Sequence, residues 1–271
     1  MNPSEKMQKD ALENVLIEGN LSFSKIIHTD GTVSSKQGTF SGLKYTNLKS
    51  PFALQDNILA MDPISFQTLG GEIEGKIQYN MQQKPPQFDI ATQTKNVDLA
   101  QLIQTKVSWF PNIVEGKVNM NLDMAGNGNT WDIIKNSLKG NGTANISDGK
   151  ILNVNIADSL MNRLFAMPEL SQFITTKYKD DYPAIFASQD TEFQDLKIET
   201  AIQDGKVNFN NILITAADWV INGQGWMNFD QNLESDHLLR LSKNFTSFLT
   251  GKVGLLQYMA DENGNLSIPF S

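Results

Sequence analysis

Residues 115–165 read EGKVNMNLDMAGNGNTWDIIKNSLKGNGTANISDGKILNVNIADSLMNRLF, and the periodicity changes four times along them. Val118, Met120, Leu122 and Met124 alternate with Asn119, Asn121 and Asp123, the pattern of a strand with one apolar face. Gly126, Asn127 and Gly128 form a turn, and Thr130 stands where it caps a short helix over 130–138 with Trp131, Ile134 and Leu138 on one side. The next run reads as a hairpin around Ser147-Asp148-Gly149. From Ile156 the period becomes helical.

Upstream, residues 1–14 are poorly defined, with a frayed helix expected over 4–14. From Val15 to Val154 strand-like runs alternate with turn residues. Asp30-Gly31 and Gly70-Gly71 are turn candidates, and Gly75 inside GEIEGKIQY predicts a bulge or a close backbone approach. Lys84-Pro85-Pro86 interrupts the pattern before a strand at 87–94, and residues 97–104 predict one or two helical turns.

Downstream, Ile156, Leu160 and Leu164 share a helix face that Met161 and Phe165 widen. Pro168 starts a second helical piece with Leu170, Phe173 and Ile174 inward, so the helical cover spans 156–179. Strands return over 191–241: 191–203, 206–210, 211–216, 219–230 and 237–241, with Asp204-Gly205 as a hairpin turn. Residues 246–260 suit a helix in length, but Gly251 and Gly254 oppose it. GNLSIPFS closes the chain as a strand.

Long apolar side chains recur on the strand faces: Phe88 and Ile90; Met120, Leu122 and Met124; Val207 and Phe209; Ile212 and Ile214; Trp226 and Phe229. Two arrangements satisfy this pattern. They pack the sheet against Trp131, Leu160, Leu164 and Phe173, or part of the face stays open as a groove for an acyl chain. The sequence leaves both open.

Composition narrows the function classes. The 271 residues carry 40% hydrophobic and 19% charged side chains, enough for a substantial core and too little charge for global disorder. A formal charge of -8 argues against non-specific nucleic-acid binding and offers no polybasic patch to anionic lipid heads. Without cysteine there are no disulfides, thiol nucleophiles or thiolate metal sites. No apolar run is long enough for a signal peptide or a membrane span, so the chain reads as soluble or as a fragment. His28 and His237 stand far apart without an HExxH spacing; His28 reads as a surface residue in a loop and His237, in a strand-like run, as structural. GNGNT at 126–130 lacks the lysine of a phosphate loop. Asp123 with Asp148, Asp180 with Asp181, and DENGN at 261–265 are calcium candidates outweighed by a turn reading. No pair of acids is singled out for glycoside hydrolysis. No catalytic, cofactor or metal residues are assigned, and the chain is expected not to be an enzyme.

In order along roughly residues 50–245, GGEIEGKIQYN, FDIATQTKNVDLAQLI, VEGKVNMNLDMAGNG, LKGNGTANISDGKILNVNIADSL, TEFQDLKIETAIQDGKVNFNNILI and VINGQGWMNFD resemble the C-terminal region of the AsmA-like proteins of Gram-negative bacteria. LKGNGTANISDGKILNVNIADSL is the most specific piece. The resemblance implies a periplasmic body held to the inner membrane by an N-terminal span, with an elongated β-sheet groove through which phospholipids move toward the outer membrane. It also implies a part in outer-membrane protein assembly, and no catalytic residues. Its scaffold positions fall here on Gly75, Gly116, Gly126, Gly128, Gly140, Asp148, Gly149 and Asp158, then on Thr191, Phe193, Asp204, Gly205, Gly223 and Gly225. The sequence departs from that pattern in lacking the span and much of the upstream body.

The expectation is therefore a single mainly β region of this family, 1–271: a curved, largely antiparallel, groove-like sheet partly covered by one or two amphipathic helices. Phospholipid acyl chains are the expected partner, with other envelope proteins as the alternative and no nucleic acid.

Overall fold

Alternating strands joined by short turns pair with their sequence neighbours, and here the strands do so across the long connections as well. A computed structural model describes residues 11–23, 27–40, 42–106, 114–156, 158–159, 188–230, 232–252 and 254–270. They build one open antiparallel sheet of 13 strands in strict sequence order. The strands are β1 (Ala11–Phe23), β2 (Ile27–Phe40), β3 (Leu43–Gln55), β4 (Ile58–Thr68), β5 (Gly71–Asn80), β6 (Gln87–Asp98) and β7 (Val114–Asn127). They continue as β8 (Lys139–Ile151), β9 (Thr191–Gln203), β10 (Lys206–Thr215), β11 (Trp219–Asn228), β12 (Leu233–Leu241) and β13 (Ser267–Phe270). A sheet this wide curls rather than staying flat.

Two-residue turns close three of the hairpins. Asp56-Asn57 (φ 51° and 59°), Leu69-Gly70 (50° and 73°) and Asp204-Gly205 (53° and 71°) place both central residues in the left-handed region, the turn that matches strand twist. In a meander, alternate connections fall on opposite rims. All the long ones, 99–113, 152–190 and 242–266, share a single rim. Among the described residues, that rim supplies α1 (Leu99–Lys106), a helical turn opening at Ile156, α3 (Lys243–Lys252) and a 3-10 helix at Gly254–Met259. The opposite rim holds the Asp56-Asn57 and Asp204-Gly205 turns, the loop at 81–86 and the short α2 (Trp131–Ser137), while Leu69-Gly70 turns on the long-connection rim.

Burial follows from that asymmetry. Toward the long-connection rim, Val97, Val118, Ile146 and Leu196 stand opposite one another across β6 to β9 and are buried with Phe193, with Leu99 and Leu102 of α1 packed against them. A second cluster joins Trp219, Ile221, Leu239 and Leu241 to Phe245 and Leu249 of α3 and to Leu256 and Leu266; Ile156 packs on it. Phe245 is 1% exposed and Leu266 0%.

Several sequence expectations change. Residues from Ala11 onward are strand rather than frayed helix. Asp30-Gly31 lies inside β2, where Gly31 faces Gly19 and Phe52; a Cβ there would stand 2.2 Å from the Glu18 carbonyl, so the glycine permits close strand approach instead of a turn. Ser147-Asp148-Gly149 is no hairpin, because β8 runs straight through it and the irregularity against Glu115–Lys117 of β7 is a bulge. The predicted strands 206–210 and 211–216 are one strand broken by a bulge. Thr130 occupies the N-cap position of α2 but makes no side-chain capping bond, and Trp131 is 57% exposed rather than inward; only Leu138, past the helix end, is buried. The ambiguous 246–260 tract is α3 followed by the 3-10 turn, with Gly251 retained inside α3. Leu160, Leu164, Phe165, Leu170, Phe173 and Ile174 lie outside the described residues. So do Asp180 and Asp181.

Alanine substitutions report on this packing. A Cβ on Gly149 meets Phe193 Cζ at 2.4 Å and the Glu115 carbonyl at 2.6 Å, so Gly149→Ala is expected to lower stability by about 1–3 kcal/mol. Phe245→Ala should cost about 3–5 kcal/mol. Gly251 has open space around it, and Gly251→Ala should instead stabilise α3 by up to about 1 kcal/mol. Urea denaturation of the three variants reads all three signs.

Candidate functional site

Cross-strand register sorts the apolar side chains into rows that run perpendicular to the strands. The row nearest the long-connection rim is Val97, Val118, Ile146, Leu196, Ile214, Ile221, Leu239 and Ile268, and it is the covered one. The second row holds Thr94, Met120, Ala144, Ile198, Ile212, Gly223, His237 and Phe270. The third holds Thr92, Leu122, Gly142, Thr200, Phe209, Gly225 and Ser235. The fourth holds Ile77, Ile90, Met124, Gly140, Ile202, Val207, Met227 and Leu233, and beyond it lie Tyr79, Phe88 and Gly126. Most side chains in rows two to four are only half-buried. Those of the fourth row are all apolar, whereas the second row includes Thr94 and His237 and the third Thr92, Thr200 and Ser235.

Bulges keep these rows in phase. Strict alternation from Phe209 would turn Asn211 and Leu213 inward and Ile212 and Ile214 outward. The extra residue at Asn210-Asn211 resets the parity, so Phe209 and Ile212 share a face. The irregularity between Thr94 and Val97, where Asn96 has φ 55°, does the same in β6, and the one between Met61 and Ile64 does so in β4. Hydroxyls on the face are turned back into the sheet. Thr94 Oγ1 accepts from the Met120 N–H at 3.0 Å, and Thr200 Oγ1 donates to the Gly142 carbonyl at 3.4 Å. The third row has the shortest side chains, interrupted only by Leu122 and Phe209.

Among the described residues of these rows the only ionisable groups are the Tyr79 phenol and the His237 imidazole. His237 lies over Gly223, whose added Cβ would come within 2.1 Å of Nδ1, and stacks on Phe270 with ring centroids 5.1 Å apart. Its Nε2 is 3.0 Å from Ser235 Oγ, while Nδ1 is buried without a hydrogen-bond partner among the described residues. Burial holds the imidazole below its ordinary value, only partly opposed by the Asp236 carboxylate.

The other face is polar. Asp123, Asn121 and Asn119 of β7 stand beside Asn141, Thr143 and Asn145 of β8, and a trough of about 690 Å³ is lined there by Asp62, Lys76, Asp89, Asp123 and Lys139. Exposed cross-strand ion pairs such as Lys95–Glu74 (3.4 Å) and Lys117–Asp98 (3.2 Å) tie this side together. Asp98 is held below the ordinary carboxylate value chiefly by the Gln101 backbone N–H. In the DENGN loop, Asp261 accepts from the backbone N–H groups of Asn263 and Asn265, both at 2.9 Å, which lowers its pKa. No group of three or more His, Asp or Glu side chains among the described residues is placed to hold a metal ion. His28 is in a strand rather than a loop, 3.8 Å from Asp30.

The structure places Phe88, Ile90, Met120, Leu122, Met124, Val207, Phe209, Ile212 and Ile214 on one face. Trp226 is a correction: it stands opposite Asn208 and Glu234 on the polar face, with Lys206 Nζ 3.9 Å above its ring. Its neighbours Gly225 and Met227 occupy the apolar positions, so the alternation here runs through a glycine that carries no hydropathy signal. Phe229 lies past the end of β11, edge-on to Trp131 at 5.4 Å. Ile77, Ile198, Ile202 and Met227 belong to the face and were not singled out, although each has the right parity. Of the scaffold positions, Gly128 (φ 137°) faces Ile133 and Ile134 of α2, and the Asp158 N–H donates to Asn155 Oδ1 at 2.8 Å. Gly140 and Gly225 meet the Asp123 and Glu234 carbonyls.

Comparison with known families bears on this sheet. Residues 8–212 match the AsmA family, more than half of the 271-residue chain. The chain belongs to the AsmA family. The match begins upstream of residue 50, where the motif resemblance starts, and ends at Ile212 in β10, short of 245. It includes the LKGNGTANISDGKILNVNIADSL motif; β11 to β13 and α3 lie beyond it. No curated protein and no solved structure was found to match the chain. AsmA-family proteins are non-catalytic, and this AsmA chain is not an enzyme. No helix among the described residues is long and apolar enough to cross a membrane.

Because the His237 pKa is lower in the folded chain than its ordinary 6.5, the unfolded chain takes up the proton first as pH falls. Stability should therefore decline as pH drops through 6.5, and the decline should stop once the folded pKa is passed. Asp98 and Asp261, lowered from 3.8, act only in more acidic solution. Urea midpoints at pH 7.5 and 5.5 should differ in the wild type, and His237→Phe should remove that part of the difference.

Proposed function

We propose that this chain is a periplasmic module of an inner-membrane-anchored envelope protein, and that it supports outer-membrane biogenesis by binding or conducting phospholipid acyl chains along rows two to four. The observation that carries the reading is an apolar face whose side chains are mostly only half-buried among the described residues. Soluble proteins rarely leave so continuous an apolar surface half-open unless it has an occupant. Each methylene laid on it contributes about 0.8 kcal/mol, so about ten supply about 8 kcal/mol before ordering costs.

Dimensions favour a chain-like ligand. The third row crosses from β6 to β12, six interstrand gaps of about 4.8 Å, or about 29 Å. One leaflet's acyl chain spans about half of a hydrocarbon core of about 30 Å. The row thus exceeds a single acyl chain, which suits movement along it, and the methionines Met120, Met124 and Met227 adapt to variable chains.

A second reading rests on β1, which is an edge strand among the described residues. Val15, Leu16 and Ile17 are consecutive and exposed there, as in a strand that accepts another by backbone pairing. That edge suits an interaction domain assisting outer-membrane protein assembly without carrying lipid.

Photocrosslinkers separate the two readings. Placed at Phe209 or Met124 in protein made in native membranes, they should yield acyl-chain adducts by mass spectrometry, while Asn208 and Asp123 on the other face should not. Protein adducts at Leu16 with no lipid at Phe209 or Met124 would favour the interaction domain.

A further inference from the structure

The rim opposite the long connections carries an apolar lip. Short α2 lies across the ends of the β9–β10 and β11–β12 hairpins. The Lys135 carbonyl and Asn136 Oδ1 are the nearest atoms to a Cβ on Gly205, at 3.9 and 3.7 Å, and Trp131 meets Phe229. Despite these contacts Trp131 stays 57% exposed, Ile133 41% and Leu233 63%. The lysine beside the lip is paired: Lys135 reaches Asp132 at 3.2 Å and Asp230 at 3.8 Å, two acids to one base.

The lip is continuous with the apolar face. Leu233 pairs with Met227 in the fourth row, and a Cβ on Gly126, pointing to the same side, would meet Ser137 Oγ of α2 at 3.3 Å. Tyr258 and Met259 are also exposed, but they sit on the 3-10 helix, whose Leu256 is the residue turned to the core.

We propose that this lip, centred on Trp131, Ile133, Phe229 and Leu233, docks on the interfacial zone of a zwitterionic phospholipid bilayer. An indole and a phenyl ring with aliphatic neighbours suit the boundary between headgroups and acyl chains. The absence of a basic run, with the one lysine of α2 paired to acids, selects against attraction by anionic headgroups. This rests on the lipid reading: a lipid leaving the bilayer at the lip meets the apolar fourth row first.

The test uses the full chain with vesicles of phosphatidylcholine and phosphatidylethanolamine, some carrying brominated acyl chains. Trp131 should be quenched, and Trp131→Phe should lose that quenched component. Trp131→Ser/Leu233→Ser, checked for folding by circular dichroism, should lower vesicle partitioning by at least roughly tenfold. Acyl adducts at Phe209 should persist when that variant is loaded with lipid in detergent. No quenching of Trp131, or unchanged partitioning of the double variant, overturns the docking and leaves the lipid reading intact. A Trp131-dependent dimer in light scattering without vesicle binding also overturns it. Quenching together with no adduct at Phe209 supports the docking and counts against the lipid reading.

Discussion

Every strand from β4 to β13 has to present its apolar side chains to the same side of the sheet. A slip of one residue in any of them would put charge into the apolar face and aliphatics into water. The molecule meets this constraint with bulges. Asn210-Asn211 in β10 and the Asn96 irregularity in β6 each absorb a residue so that Phe209 joins Ile212 and Thr94 joins Val97. Threonines turn their hydroxyls to backbone groups, and glycines at 149 and 223 let Phe193 and His237 lie flat on the neighbouring strand.

The rim asymmetry follows from the meander itself. Alternate connections emerge on opposite sides, and all the long ones emerge together, so among the described residues α1 and α3 pack on the first row of apolar residues, while only the short α2 stands at the far rim. The buried core and the face that stays half-buried among the described residues are two parts of one surface. The core makes the sheet stable, and the half-buried part is where AsmA-family membership and physical reasoning meet in the lipid proposal.

Much of this was legible in residues with period two. The β7 run Val118–Met124, the strand 191–203 and the Asp204-Gly205 turn match the structure because alternation and a left-handed turn are local properties. What was misread depended on neighbours. Asp30-Gly31 and Ser147-Asp148-Gly149 look like turns by composition, yet both lie inside strands where the glycine admits another backbone or ring. Trp226 was assigned by hydropathy to a face its register denies it, because Gly225 hides the alternation. Trp131 was assigned inward from helical spacing, but α2 is too short to bury a face. The division between buried and half-buried rows was not legible at all, since it arises from which rim each connection leaves.

The most direct measurement is an experimental structure of the protein purified from native membranes. Elongated density crossing the strands over Thr92, Leu122, Gly142, Thr200, Phe209 and Gly225 is the predicted result. Side chains of the protein itself filling rows two to four, with no space for an acyl chain, would contradict the account.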